Sequence, residues 1–204
     1  MKRDLIKQTI FSNFVNAIEA WNEENIYSIS FFVYDYDDNP CKPTVSLSYN
    51  TEEEVRKNLK YFDESEARWN YACWSQNVAA QFGYDKDSSE LVRDWILENN
   101  LPYKENYNPY DTTKDCVEFL QEITNGFVEI LIEVVKEIHK ENILIRKFKR
   151  SIPILIHELE YYDAIGKQNI DANGEELVKD FTAYIDSLAQ KAYEDLEKYL
   201  NIKN

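Results

Sequence analysis

The chain has 204 residues and a formal net charge of −15 at pH 7, from 38 acidic and 23 basic side chains. Its length allows one ordinary domain with a sizeable core, and its 44% hydrophobic residues and 4 glycines exclude a disordered or collagen-like chain. The negative charge disfavours binding to nucleic-acid phosphates or to an anionic membrane surface, and it favours a cationic partner.

The N-terminus and the cysteines indicate the compartment. Residues 1–8 mix charged and apolar side chains and contain no apolar stretch typical of a secretion signal. The most apolar segment, residues 127–138, carries four charged side chains, which a membrane span does not tolerate. The three widely spaced cysteines, Cys41, Cys73 and Cys116, fit neither a disulfide framework nor a zinc site. The sequence therefore predicts a cytoplasmic protein with free thiols.

The N-terminal part of the chain predicts a helix followed by a β-hairpin. Apolar residues recur at spacings of three and four over about residues 3–23, which indicates an amphipathic helix. Residues 26–34 are rich in β-branched and aromatic side chains and end at the acidic turn 35–40. Residues 43–49 alternate apolar and polar side chains, the pattern of a half-buried strand.

The middle of the chain predicts two short helices and a third strand. Thr51, with Glu54 three residues later, has the form of a capping box and predicts a helix over about residues 52–60. The aromatic segment 68–74 lacks glycine and proline and is interpreted as a third strand. Residues 88–97 are predicted to form a capped helix.

The C-terminal part predicts two long helices and one further strand. An apolar stripe indicates a long helix that begins near Thr113 and ends near Asn142. Residues 152–157 form a short apolar run with a proline near its start, which a strand tolerates. Residues 160–173 are interpreted as a loop, and residues 177–200 as a terminal amphipathic helix.

This order of elements predicts an α+β fold in one domain, with a small antiparallel sheet packed against several helices. Neighbouring strands are joined by a tight turn and not by a helical crossover, which favours antiparallel pairing. The chain contains no linker rich in proline, glycine or serine, no fixed-period repeat and no low-complexity tract.

Common enzyme signatures are missing from the sequence. The four glycines are scattered, so there is no phosphate-binding loop, and no Gly-x-Ser-x-Gly elbow is present. His139 and His157 are not at a zinc-binding spacing. The acidic turn 35–39 resembles a calcium loop, but Pro40 stands where glycine is required and Ser46 where the last glutamate is required. The sequence therefore predicts no catalytic residue, no metal site and no cofactor.

Acidic side chains concentrate in the first half of the chain, together with many tyrosines and tryptophans. If the hairpin turn, the helix after it and segment 68–74 lie side by side, they form an acidic face with aromatic side chains. Such a face suits an electrostatically steered interface with a basic protein. The alternative is that the charges are a solvated surface and the tryptophans belong to the core. The predicted partner-binding residues are Asp35, Asp37, Asp38, Glu52, Glu53, Glu64, Glu66, Trp69 and Trp74.

Three segments of the N-terminal half resemble a known family. Residues 31–38, 48–54 and 68–74 read Phe-Phe-Val-Tyr-Asp-Tyr-Asp-Asp, Ser-Tyr-Asn-Thr-Glu-Glu-Glu and Arg-Trp-Asn-Tyr-Ala-Cys-Trp. They resemble the bacterial domain-of-unknown-function family numbered 4303, which places a long helix and a late strand where residues 119–138 and 152–162 fall. The chain departs from the family pattern after the Arg-Trp pair, where Asn-Tyr-Ala-Cys replaces a Ser-Pro-like step.

The resemblance implies a context and no catalytic residues. Small acidic cytoplasmic proteins of this kind are suspected to be immunity proteins in bacterial toxin loci, similar in role to the SUKH proteins. The sequence thus favours a non-enzymatic acidic binding protein that neutralises a basic toxin domain. Two alternatives stay open: an enzyme with a carboxylate-based site, with Cys73 or His157 nearby, and an accessory domain that works as a homo-oligomer through an apolar patch on the terminal helix. The oligomeric state is not predicted.

Overall fold

A four-stranded sheet with helices on both faces forms the body of the protein. The computed structural model describes residues 1–104, residue 107 and residues 114–202, with side chains described at all of these except 114–120 and 201–202. The strands are β1 (Ile26–Asp35), β2 (Pro43–Thr51), β3 (Ala80–Phe82) and β4 (Ile154–His157). The helices are α1 (Lys2–Ala20), α2 (Glu52–Asn58), α3 (Glu64–Trp69), α4 (Lys86–Glu98), α5 (Lys114–Lys140), α6 (Ile143–Phe148), α7 (Asp163–Asn173) and α8 (Glu175–Ile202).

The sheet has the strand order β3-β2-β1-β4 and is mixed. β1 and β2 form the predicted antiparallel hairpin, with Asp35 opposite Pro43 at the turn. β4 pairs in parallel with β1, so that Phe32 lies opposite His157. The expectation of a purely antiparallel sheet is wrong at this strand, because the helices between β1 and β4 return the chain to the same end of the sheet. The α+β class itself is confirmed.

Alternation of side chains along β1 divides the apolar interior into two cores. Ile29, Phe31 and Val33 belong to the first core, which α1, α4 and α5 complete. Tyr27 contributes to the second core and Phe32 packs against it, on the face that α3 and α8 cover. This period of two is the strand periodicity expected from the sequence.

Both faces of β2 are buried, whereas the sequence predicts a half-buried strand. Val45 and Leu47 lie in the first core. Ser46 and Ser48 on the opposite face are only 4% and 0% exposed. Tyr71, from the turn after α3, covers this face, and the Ser48 hydroxyl donates a hydrogen bond to the Tyr71 hydroxyl at 3.4 Å. The small serines leave room for the aromatic layer above them.

The segment 68–74 is not a strand, and the prediction for it is wrong. It contains the end of α3 at Trp69 and then a short 3-10 turn. Asp63 caps α3 by accepting a hydrogen bond from the Glu66 backbone N–H at 2.8 Å, and the Asn70 side chain caps the turn that follows. These caps give the chain local hydrogen bonds in place of strand pairing.

The predicted loop at residues 160–173 is also wrong, because α7 occupies most of it. This helix ends at Gly174, whose φ of +85° lies in the region that favours glycine. The other predicted helices are present, and Thr51 caps α2 as expected, by accepting the Glu54 N–H at 3.2 Å. Thr113, the predicted start of the long helix, and the side chain of Cys116 lie outside the described residues. In the described ranges, no helix combines the length and hydropathy that a membrane span requires.

Candidate functional site

The predicted acidic residues divide between the two ends of the β1–β2 hairpin. Asp35, Asp37 and Asp38 lie where β1 ends, and Glu52 and Glu53 lie where β2 ends. Antiparallel pairing puts these two strand ends at opposite ends of the hairpin. The separation is about 30 Å, at roughly 3.3 Å per strand residue. The residues therefore do not form one continuous acidic face.

The group at the end of β2 already has its own cations. The Arg68 guanidinium binds the two carboxylate oxygens of Glu52 at 2.8 and 2.9 Å and lies 3.7 Å from Glu64. The hydrogen bond from Arg68 lowers the pKa of Glu52. Glu53 pairs with Lys57 at 3.1 Å. Because these carboxylates are compensated within the chain, a cationic partner gains little from them.

The two predicted tryptophans are core residues. Trp69 and Trp74 are 8% and 5% exposed, and both belong to the second core. The Trp74 indole N–H donates a hydrogen bond to the Arg68 carbonyl at 3.0 Å. Glu66 is half-buried on α3, where burial and then the charge of Glu66 raise the pKa of Cys73. The interpretation of the two rings as core is confirmed, and they leave almost no area for a partner to contact.

The group at the end of β1 forms a pocket with residues that the sequence analysis missed. Because β4 runs parallel to β1, the loop after β4 emerges beside the end of β1. That loop brings Glu158 and Glu160 to Asp35 and Asp38 around a cavity of about 320 Å³, named here the acidic pocket. The other residues that line it are Val33, Tyr34, Thr124, Leu159 and Tyr162.

Asp35 is the least compensated charge of the acidic pocket. Burial, followed by the nearby charges of Glu158 and Asp38, raises its pKa to about 6. Among the described residues, its Oδ1 atom has no hydrogen-bond partner although it is buried. The folded protein therefore carries an ionised carboxylate at neutral pH in surroundings that oppose the charge.

The neighbouring carboxylates are oriented by neutral donors. The Tyr162 hydroxyl donates to Glu158 at 3.1 Å, and the Gln168 amide donates to the same side chain at 3.2 Å. The Tyr34 hydroxyl donates to Asp38 at 2.9 Å. Burial, followed by the charge of Glu158, raises the pKa of Tyr162 to about 12, so this hydroxyl keeps its proton. Such bonds fix the carboxylates in place without neutralising them.

Among the described residues, no lysine or arginine side chain supplies a counter-charge to the acidic pocket. Asp37, which lies outside the pocket, pairs with Lys42 at 3.2 Å. Asp35, Asp38 and Glu158 make no such pair within the described ranges. No group of three or more His, Cys, Asp or Glu side chains in those ranges is arranged to hold a metal ion.

A second cavity adjoins the acidic pocket and shares Glu158 and Leu159 with it. Its volume is about 410 Å³, and it is named here the aromatic pocket. The Phe32 and Tyr71 rings in its wall stack at a centroid distance of 4.4 Å. Glu158 is the one carboxylate among its described lining residues. The remaining lining residues are Ser46, Asn70, Ala72, Gln76, Val78, Gln81, Tyr84 and Tyr161.

His157 and Cys73, considered above for a catalytic site, line neither pocket. His157 is fully buried, and its Nδ1 atom lies 2.7 Å from the Ser30 hydroxyl oxygen. The rings of Trp74 and Phe181 lie edge-on to the imidazole at 5.1 and 5.5 Å. Burial lowers the pKa of His157 to about 3, so the imidazole is neutral at physiological pH.

Comparisons with family models, with curated proteins and with solved structures find no match to this chain. The resemblance to the family numbered 4303 therefore stays a prediction from the sequence.

Proposed function

We propose that this protein is a non-enzymatic binding protein whose acidic pocket receives a cationic side chain of a basic protein partner. The observation that carries the proposal is the state of Asp35, which is half-buried with a buried Oδ1 atom, crowded by two further carboxylates and unpaired among the described residues. A partner's ammonium or guanidinium group supplies the missing charge. Binding then relieves a repulsion that the free protein tolerates.

The surroundings of the acidic pocket support a protein partner. Leu159 is 70% exposed and Tyr162 43% exposed on the loop that lines the pocket, so apolar and aromatic area borders the carboxylates. Interfaces combine such contacts with a polar rim. The net charge of −15 also steers a basic protein toward this chain over distances of several ångströms, more strongly at low salt.

The biological role that we propose is immunity against a basic toxin. The resemblance to a family suspected of this role supports it, and so does the acidic surface. A toxin domain that acts on nucleic acid needs a positive surface to bind phosphates. A protein that presents carboxylates to that surface competes with the substrate and blocks the toxin.

The test is a pull-down from lysate of the native cell with three forms of the protein. The wild type is compared with the variant Asp35→Asn/Glu158→Gln and with the control variant Glu53→Gln/Glu64→Gln. Both variants lose two negative charges, but the control loses them at the opposite end of the sheet, where Lys57 and Arg68 already compensate them. We expect the wild type and the control to retain the same basic protein at low salt, and the acidic-pocket variant to lose it.

High salt provides the second arm of the pull-down. A partner held by the acidic pocket is released as the salt concentration rises, because the screening length shortens from about 8 Å at physiological ionic strength to about 3 Å at 1 M. Retention of the same protein by all three forms at low salt contradicts the proposal. Absence of any specifically retained protein contradicts it as well and favours a search for an enzymatic substrate.

One surface bears on the alternative of a homo-oligomer. All side chains from residue 189 to residue 200 on α8 are exposed, and they include Tyr193 at 60% and Leu196 at 54%. This is the apolar patch on the terminal helix that the alternative requires. The oligomeric state of the wild type and of Leu196→Glu, measured by size in solution, distinguishes the partner-binding protein from the homo-oligomer. A wild-type dimer that this substitution dissociates favours the homo-oligomer.

A further inference from the structure

We infer that the aromatic pocket binds an arginine side chain, so that the partner's contact segment is rich in arginine and not in lysine. The inference rests on the proposed function, because it specifies which cation the surface around Glu158 receives. It depends on a different cavity, the aromatic pocket, whose walls are mainly rings and amides.

The walls of the aromatic pocket are fixed before any ligand binds. The Tyr161 hydroxyl accepts a hydrogen bond from the Tyr71 backbone N–H at 2.9 Å and donates one to the Trp69 carbonyl at 3.3 Å. Tyr71 in turn stacks on Phe32. Rings that are locked in this way lose little further conformational entropy when they contact a ligand.

Tyr84 forms a further aromatic wall and is held more loosely. Its ring is half-buried and meets the Tyr36 ring edge-on at 5.9 Å. Its hydroxyl accepts a hydrogen bond from Ser46 at 3.4 Å, a long contact. The Ser46 hydroxyl also accepts from the Gln81 amide at 3.3 Å. The Tyr84 ring is therefore a contact surface that a ligand can use without breaking a short hydrogen bond.

The chemistry of this cavity matches a guanidinium group. A guanidinium is planar, is more weakly hydrated than an ammonium, stacks on aromatic rings and carries five N–H donors. Beside the aromatic rings, Glu158 supplies the negative charge, and the side-chain carbonyls of Gln76 and Gln81 can accept hydrogen bonds.

Other occupants match the cavity less well. A neutral aromatic side chain leaves the charge of Glu158 uncompensated, and an anion is repelled by Glu158 and by the adjoining acidic pocket. A lysine ammonium satisfies the charge, but it is strongly hydrated and has no planar face to stack on a ring. The acidic pocket next to it accepts either cation, so the aromatic pocket is the part of the surface that discriminates arginine from lysine.

The test uses two peptides of equal charge, hexa-arginine and hexa-lysine with blocked ends, titrated into the protein by calorimetry. We expect the wild type to bind hexa-arginine about tenfold more tightly, the factor that corresponds to one cation–π contact with a partly desolvated ring. Tyr84→Leu should bring the two affinities to within about twofold, because it removes the stacking surface. Tyr84→Phe keeps the ring and should keep the preference, as should the control Tyr193→Leu on α8.

The outcomes separate this inference from the proposed function. Equal affinities for the two peptides, with binding still weakened by Asp35→Asn/Glu158→Gln, overturn the arginine inference and leave the proposed function standing. A preference for arginine that survives Tyr84→Leu overturns the assignment to the aromatic pocket. If Asp35→Asn/Glu158→Gln weakens binding no more than Glu53→Gln/Glu64→Gln does, the proposed function fails and the inference fails with it.

Discussion

Asn169 and Ile156 exchange two hydrogen bonds across the outer edge of the sheet. The Ile156 N–H donates to Asn169 Oδ1 at 2.8 Å, and Asn169 Nδ2 donates to the Ile156 carbonyl at 3.0 Å. Asn173 makes the same pair of bonds with Ile154, at 2.8 and 2.9 Å. Four residues of a helix rise about 6 Å and two residues of a strand about 6.6 Å, so the two asparagines match alternate residues of β4. The helix α7 thus closes the edge of β4 as a further strand would.

Replacement of Asn169 by alanine should destabilise the protein by about 2–4 kcal/mol, because it leaves the buried Ile156 N–H without a partner and leaves the Ile156 carbonyl only the longer hydrogen bond from the Gln168 amide, at 3.3 Å. Asn173→Ala should cost less, since Asn173 is half-buried and water can replace its side chain. Urea denaturation measures both values. Asn125→Ala, at an exposed helical position on α5, is the control and should stay within about 0.5 kcal/mol. A similar small effect for Asn169→Ala would refute the edge-closing role.

The hairpin could be predicted from the sequence because its signals are local. Alternation at Val45 and Leu47, the acidic turn and the Thr51 cap lie within a few residues of the structure they specify. The helix α7 could not be predicted in this way, since Gly166 and Asn169 are poor helix formers. Asn169 is needed there for its tertiary bond to β4, and Gly166 is buried where α7 packs against Thr182 and Ile185 of α8.

Only part of the candidate site could be predicted from the sequence, for a similar reason. The sequence predicts Asp35 and Asp38 as partner-binding residues because both lie in one acidic turn. Glu158 comes to them only through the parallel pairing of β4 with β1, which no local pattern indicates. Tryptophan is typical of protein interfaces, which is why the sequence favours a binding role for Trp69 and Trp74. Both are core residues because α8 packs over α3, a tertiary contact that the local sequence does not indicate.

Asp35→Asn should stabilise the free protein at pH 7 while weakening partner binding. Folding raises the pKa of Asp35 from 3.8 to about 6, so the unfolded state binds fewer protons between these values. The contribution of Asp35 to stability therefore increases as pH falls from about 7 to 4, and ionised Asp35 costs about 1–3 kcal/mol at pH 7. Urea unfolding of wild type and variant at pH 7 and pH 5 measures this. A loss of stability at pH 7 would show that Asp35 is a structural residue.

His157 should make the protein less stable as the solution is acidified. Its pKa falls from 6.5 to about 3 on folding, so its contribution is fully present above pH 6.5 and is lost progressively as pH falls toward 3. Since Asp35 has the opposite dependence between pH 6 and 4, the measurement is made in the Asp35→Asn background. Between pH 6.5 and 5 the loss should be about 2 kcal/mol. Adding His157→Asn, which does not titrate, should flatten that slope, and an unchanged slope would assign it to other groups.

Arg68→Lys should destabilise the protein by about 1–2 kcal/mol although the charge is kept. The guanidinium binds both oxygens of Glu52 and lies 4.6 Å from the centre of the Tyr27 ring, and a lysine can reproduce neither the bidentate bond nor the stacking. Thermal unfolding measures the change, with Arg56→Lys on the exposed side of α2 as the matched control. Since the Arg68 carbonyl still accepts the Tyr27 hydroxyl and the Trp74 indole N–H in both variants, the difference isolates the side chain. Equal melting temperatures for the two variants would mean that the Arg68 ion pair contributes nothing measurable.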